Sequence, residues 1–204
     1  MAAIDGSEVQ RRLRLMAEHI QKQGDLFEVV TPFTAGAGCD HDALASAEAD
    51  AGIALPPDVR EATLALAGTT WCWALRSELE EEWDADVAGA NGGMIWLHPD
   101  EMKSARARLA AAEADLGSSL LPFAKDGGGD AAWLAIAHVK GKNVLVQVQG
   151  DGDTESWGLD DFLDSWSRAG FRIGNRWEDQ PESLIEHLAE ALDLPEEEWD
   201  AEDE

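Results

Sequence analysis

The densest group of chemically competent residues in this chain is Cys39-Asp40-His41-Asp42. Thiolate, imidazole and carboxylate are all zinc ligands, but a tetrahedral site needs further Cys or His at regular spacing. Only Cys72 and the scattered His19, His98, His138 and His187 remain to supply them, so no metal and no cofactor is expected. The same histidines could serve a Cys–His or Ser–His–Asp site, yet no Gly-x-Ser-x-Gly elbow presents a serine to one. Asp151, Asp153 and Glu155 occupy positions 1, 3 and 5 of a calcium loop. Ser156 then stands where that loop requires glycine, and Phe162 where it requires a bidentate glutamate, so an acidic turn is expected there. Gly127-Gly128-Gly129-Asp130 lacks the Lys-Ser or Lys-Thr of a phosphate loop, and Gly36-Ala37-Gly38 lacks a third glycine and a preceding strand. Both read as turns. Neighbouring carboxylates such as Glu81 and Glu82 are unavoidable among 42 acidic residues and carry no information about acid–base catalysis. These residue types and spacings predict a protein that is not an enzyme.

What the acids do predict is a class of partner. With 15 basic residues against those 42, the net charge is −27, which repels nucleic acid phosphates and anionic lipid and favours a basic protein. The charge is uneven: −2 over residues 1–41, −9 over 42–150 and −16 over 151–204. No apolar run approaches the roughly 20 residues that cross a bilayer, and the chain opens on Ile4-Asp5-Gly6-Ser7-Glu8 without the pattern of a secretory signal. Two cysteines are too few for a disulfide framework, and together these features predict a cytoplasmic protein. Nine Trp with no Tyr is unusual, and most of the nine are expected in the core.

The elements that must position any site follow from periodicity. Val9, Leu13, Met16 and Ile20 fall at helical spacing, with Arg11, Arg12 and Arg14 mostly off the stripe, predicting a helix over 5–23 that Gly24 ends. Thr31 to Asp40, with Pro32, Gly36 and Gly38, reads as a mobile loop. Asp42 is placed to cap a helix to Ala51, and Pro57 to open one that Gly68 stops. Trp71–Leu75 reads as a strand, Glu78–Asp86 as an acidic segment, Gly89–Gly93 as a turn and Met94–Leu97 as a second strand. Pro99, Asp100 and Glu101 open a helix through Met102, Leu109 and Leu116, ended by Gly117. Strands are expected at 119–123, 131–136 and 143–148, the last alternating Val144, Val146 and Val148 against Gln147 and Gln149 after a turn at Lys140-Gly141-Lys142. Leu159, Phe162, Leu163 and Trp166 give one short helix an apolar face, and Leu184, Ile185, Leu188 and Leu192 give another that Pro195 closes. Seven acids among the last ten residues predict a disordered tail over 195–204.

Two segments carry a family signal. Ala47-Glu48-Ala49-Asp50-Ala51-Gly52-Ile53-Ala54-Leu55-Pro56-Pro57-Asp58-Val59-Arg60, running on to Gly68, resembles the opening of the SUKH superfamily of Smi/Knr-type proteins. Leu121-Pro122-Phe123-Ala124-Lys125-Asp126-Gly127-Gly128-Gly129-Asp130, followed by Trp133-Leu134-Ala135-Ile136, is similar to the central hairpin of that family. Val144–Val148 and Trp157–Leu163 fit its next strand and closing helix, so the resemblance covers about residues 42–168. It implies an α+β fold: a single domain with a central, mostly antiparallel sheet of about six strands flanked by helices. The division expected is an N-terminal helix and loop at 1–41, the SUKH-like domain at 42–170, a helical extension at 171–194 and the acidic tail. The resemblance further implies a non-catalytic protein. Many bacterial relatives are immunity proteins, which neutralise a toxin by forming an inhibitory complex with it; the alternative is a regulatory or scaffolding adaptor for a resident protein. Combined with the charge, the expected partner contacts are Glu80, Glu81, Glu82, Trp83, Asp84 and Asp86, where a Trp sits among acids, and Asp126, Asp151 and Asp153 on hairpin loops.

Overall fold

A computed structural model of the chain describes residues 6–76, 91–127, 132–149, 153–157, 162–172 and 182–194. In chain order its elements are α1 (Gly6–Lys22), β1 (Phe27–Thr34), α2 (His41–Ala51), α3 (Pro57–Leu66), β2 (Thr70–Leu75), β3 (Asn91–Trp96) and α4 (Pro99–Arg108). They continue with α5 (Ala110–Leu116), β4 (Leu120–Asp126), β5 (Trp133–Val139), β6 (Lys142–Val148), β7 (Thr154–Trp157), α6 (Phe162–Arg168) and α7 (Glu182–Leu192). Among the described residues the strands form one sheet in the order β1-β2-β3-β4-β5-β6-β7, every neighbour antiparallel. The α+β architecture with a central antiparallel sheet and flanking helices is as the sequence predicts.

Seven strands stand here, in line with the sheet of about six that the resemblance implies and two more than the five segments that periodicity marks. The first addition is β1, which takes up Thr31–Thr34 of the segment read as a loop. Proline removes a ladder donor and so argues against a strand, but an edge strand has one side to spare. β1 is the edge, and its register with β2 slips on both sides of Thr31, next to Pro32. The second addition is β7, paired with β6 from Leu145↔Trp157 to Val148↔Thr154. Further, Gly92 and Gly93 belong to β3 and not to a turn, and they lie opposite Trp73 and Cys72. The helix expected over 99–116 is two, because Leu109 at φ −93°, ψ 9° leaves the helical backbone between α4 and α5. Asp40, and not Asp42, holds the N-cap position of α2. The expected tail at 195–204 lies outside the described residues.

The packing follows from strand alternation. Leu121, Phe123, Leu134, Ile136 and Leu145 face a large core that also takes Val9, Leu13, Met16 and Ile20 of α1, Trp166 of α6 and Leu188 of α7. The intervening Leu120, Ala135, Ala137, Val146 and Val148 face a smaller cluster closed by Leu109 and Ala112. Both faces of the central strands are thus covered, which explains the nearly unbroken apolar run of β5. Of the five Trp whose side chains are described, Trp71, Trp73, Trp96 and Trp166 are buried and Trp133 is partly so. At about 150–250 Å² of surface each, such a ring removes about 4–6 kcal/mol of unfavourable hydration.

Three polar ties fix the helices on this core. Glu48 accepts the backbone N–H of Leu55 at 2.8 Å and faces Arg60 Nε at 3.3 Å, holding the Leu55-Pro56-Pro57 turn between α2 and α3. Arg12, expected off the apolar stripe, is instead buried, donating to Ser167 Oγ at 2.9 Å and pairing with Asp164 Oδ1 at 2.8 Å on α6. Arg106 Nε donates to Glu113 at 2.8 Å, and the same carboxylate oxygen accepts the N–H of Leu120, joining α4 and α5 to the start of β4.

Candidate functional site

The strand registers bring three connections to one end of the sheet. The chain leaves β2 beside Asn91, since Ala74 pairs with Asn91, and re-enters at β3. It leaves β4 at Asp126, next to Met94, and returns at Trp133, opposite Lys125. It leaves β6 at Val148, paired with both Trp133 and Thr154, and returns at β7. Successive hairpins of an antiparallel sheet alternate between its two ends, so these three share an end and the Lys140-Gly141 turn of β5–β6 lies at the other.

The sequence joining those strands is unusually one-signed. Residues 77–90 contain six acids, 126–132 two and 149–153 two, and none contains a base. Of the nine expected contact residues, Asp126 and Asp153 are described: Asp126 is partly buried at the end of β4, and Asp153 is exposed just before β7. The fold therefore places these two at the same sheet end. Glu80, Glu81, Glu82, Trp83, Asp84, Asp86 and Asp151 lie outside the described residues. With strands about 4.8 Å apart, β2 to β7 spans about 24 Å. A standard protein–protein patch of about 800 Å² per partner is about 28 Å on a side, so this end has the breadth of one.

The local backbone there is well tied. Asp126 N–H donates to Ala132 O and Gln149 N–H to Asp153 O, each at 2.8 Å, closing the bases of the two hairpins. The cations nearby are engaged: Lys125 Nζ sits 5.6 Å from the centre of the Trp133 ring, and Arg76 Nε donates to Gly24 O at 2.6 Å. Beneath this end lies Cys72, whose thiol is pushed up to about 11 by burial, with Asp126 adding to the shift and a Thr31 hydrogen bond opposing it. Gly127 passes directly over that thiol, so a Cβ there would overlap Cys72 Sγ.

The sequence motifs considered for other chemistry resolve differently. In the Cys39–Asp42 cluster the Cys39 thiol points to Thr63 O at 3.7 Å and is raised by burial, while His41 Nδ1 lies 3.5 Å from Arg60. Gly36 and Gly38 pack on the end of α3, where Gly36 N–H donates to Thr69 Oγ1 and Gly38 N–H to Ala67 O. A groove of about 560 Å³ between α1 and β1 is lined by Val29, Pro32, Phe33 and Trp71, with Arg14 and Glu18 as its charged members.

Among the described residues, the His, Cys, Asp and Glu side chains that do converge are His19, His187 and Glu190, with ligand atoms all within 4.8 Å of one another. Sequence reasoning passed over them. His187 and Glu190 are one turn apart on α7, which is visible in the sequence, but His19 comes from α1 and only the packing of α1 on α7 brings it there. Burial holds the His19 imidazole below its ordinary 6.5, against the pull of Glu190. Comparison with family models, curated proteins and solved structures finds no match to this chain.

Proposed function

We propose that this chain is a protein-binding domain that meets a basic protein with the acidic end of its sheet, and that it acts in the cytoplasm as an immunity protein, neutralising a toxin by forming an inhibitory complex. The observation that carries this reading is the gathering of three base-free acidic connections at one sheet end, with Asp126 and Asp153 as its described members. Carboxylates presented at one sheet end attract a cationic surface, speed encounter and disfavour acidic competitors. Affinity then comes from a few aromatic or desolvated contacts, for which Trp83, flanked by acids in the sequence, is the candidate. The order of the Leu-Pro-Pro-Asp and Leu-Pro-Phe-Ala segments supports the immunity assignment, since it resembles the SUKH arrangement. No helix among the described residues is long and apolar enough to cross a membrane.

The test is co-expression with the product of the adjacent toxin-like gene, scoring growth rescue and co-purification. Rescue together with a stable complex supports the reading. A complex with a resident protein and no rescue replaces it with the adaptor alternative. Changing Glu81→Gln, Trp83→Ala and Asp84→Asn together is expected to weaken the complex, and unchanged affinity removes that segment from the interface.

A further inference from the structure

Two imidazoles and a carboxylate meet where the first and last described helices cross. His19 lies in the last turn of α1, and His187 and Glu190 stand three residues apart on α7, so both face the same side of that helix. Their ligand atoms all lie within 4.8 Å of one another. The Nε2 of His19 is buried and meets no hydrogen-bond partner among the described residues, although a buried ring nitrogen of this kind is normally satisfied. The His187 ring is steadied by Phe27, whose ring stands edge-on to it at 6.0 Å between centres. Glu190 is exposed, leaving one side of the cluster open to solvent.

We propose that His19, His187 and Glu190 form a binding site for a divalent transition ion of the zinc class, which clamps α7 onto α1. Imidazole nitrogen is a good ligand for Zn²⁺ and a poor one for Mg²⁺ or Ca²⁺, which prefer all-oxygen sites. Zinc binds nitrogen and carboxylate oxygen at about 2.0–2.2 Å, so tetrahedral ligand atoms stand about 3.4 Å apart. Starting from separations within 4.8 Å, shifts of about 1 Å per side chain bring the three onto one ion. Water completes the fourth position on the exposed side. Because residues 19 and 187 come from opposite ends of the chain, the ion binds the folded protein in preference to the unfolded one, and so stabilises it. The site lies beside Phe27, which pairs with Leu75 at that same end of the sheet, but its ligands are not among the proposed contact residues and it does not depend on the binding function proposed above.

Tag-free, chelator-stripped protein titrated with ZnCl₂ in excess MgCl₂ tests this, the magnesium occupying the exposed carboxylates. Calorimetry is expected to give one tight equivalent of zinc, and thermal unfolding a rise in Tm with ZnCl₂ that MgCl₂ does not produce. His19→Gln and His187→Gln are each expected to weaken zinc at least about tenfold, the scale on which even the outer partners of metal ligands act. Glu190→Gln, at an exposed position that leaves the core intact, should do the same with the metal-free Tm unchanged, and it carries the test if a histidine variant does not fold. Zinc binding of equal strength in wild type and Glu190→Gln overturns the proposal, because the ion then sits elsewhere on the acidic surface. Absence of zinc binding above the magnesium background overturns it equally.

Discussion

The indole Nε1 of Trp73 donates to the carbonyl of Gly170 at 3.0 Å, joining the middle of β2 to the turn that follows α6. The same carbonyl accepts the N–H of Gly93 at 3.1 Å, so one oxygen ties two strands to the C-terminal part of the chain. Gly170 holds φ +66°, and a Cβ there would press on the Trp73 ring at 3.0 Å. Gly170→Ala therefore adds a left-handed strain of about 1 kcal/mol to a steric conflict, and a total loss of about 2–3 kcal/mol is expected. Urea unfolding followed by Trp fluorescence measures it. A loss below about 0.5 kcal/mol, the range of neutral surface changes, contradicts the anchoring role.

Arg12 ties α1 to α6 from a buried position. Removing its guanidinium leaves the Asp164 carboxylate with Arg168 Nε at 3.1 Å as a remaining partner. Arg12→Ala is expected to destabilise by about 3 kcal/mol, the lower end for breaking a buried pair. In a double-mutant cycle with Asp164→Asn the two losses should fall short of additivity. Strict additivity would show that the pair contributes nothing.

Gly127 and Cys72 share one volume. Gly127→Ala drives a methyl group into the thiol and is expected to destabilise by about 2 kcal/mol. Cys72→Ala removes the sulfur, and in that background the Gly127→Ala loss should fall below about 1 kcal/mol. An undiminished loss in the double variant means that the strain lies elsewhere.

The Cys72 thiol also has a signature in pH. Its ordinary value of 9.0 is raised to about 11 in the folded protein. Between those values the unfolded chain has released the proton that the folded chain keeps, so stability is full below about pH 9 and falls as pH rises through this window. Chemical unfolding at pH 8 and pH 10 is expected to show a steeper alkaline loss in wild type than in Cys72→Ala. The same burial predicts slow alkylation of Cys72 by iodoacetamide at pH 8 until the protein unfolds. Equal alkaline slopes would falsify the assignment.

At the acidic sheet end, Asp126→Asn with Asp153→Asn is expected to slow association with the proposed basic partner by roughly threefold at low salt. The difference should shrink as ionic strength rises and the screening length falls toward about 8 Å. Asp115→Asn, on exposed α5 near the start of β4 and so toward the other end, serves as the control. Equal slowing by the control means that overall charge acts and not this face. Stopped-flow association kinetics distinguish the two.

Much of the scaffold was legible in local pattern, because helical and strand periodicity and the Pro and Gly boundaries act over a few residues. The stripe Val9, Leu13, Met16 and Ile20 gave α1, Pro57 and Pro99 marked the starts of α3 and α4, and the valines of β6 revealed an antiparallel strand. The misread elements were those whose identity depends on neighbours. Pro32 is acceptable only because β1 is an edge, and β3 carries Gly92 and Gly93 because Trp73 and Gly170 fill the space beside the first and the Trp71–Cys72 backbone fills the space beside the second. The proposal of a basic partner rests on the charge, which follows from composition alone. Which acids act together does not: Asp126 and Asp153 share an end only through the register of four antiparallel strands, and His19 reaches His187 and Glu190 only because α1 packs on α7. Periodicity is written in a short window of chain, whereas a surface or a ligand set joins residues far apart in sequence, and only the packing that excludes water from their surroundings brings them together.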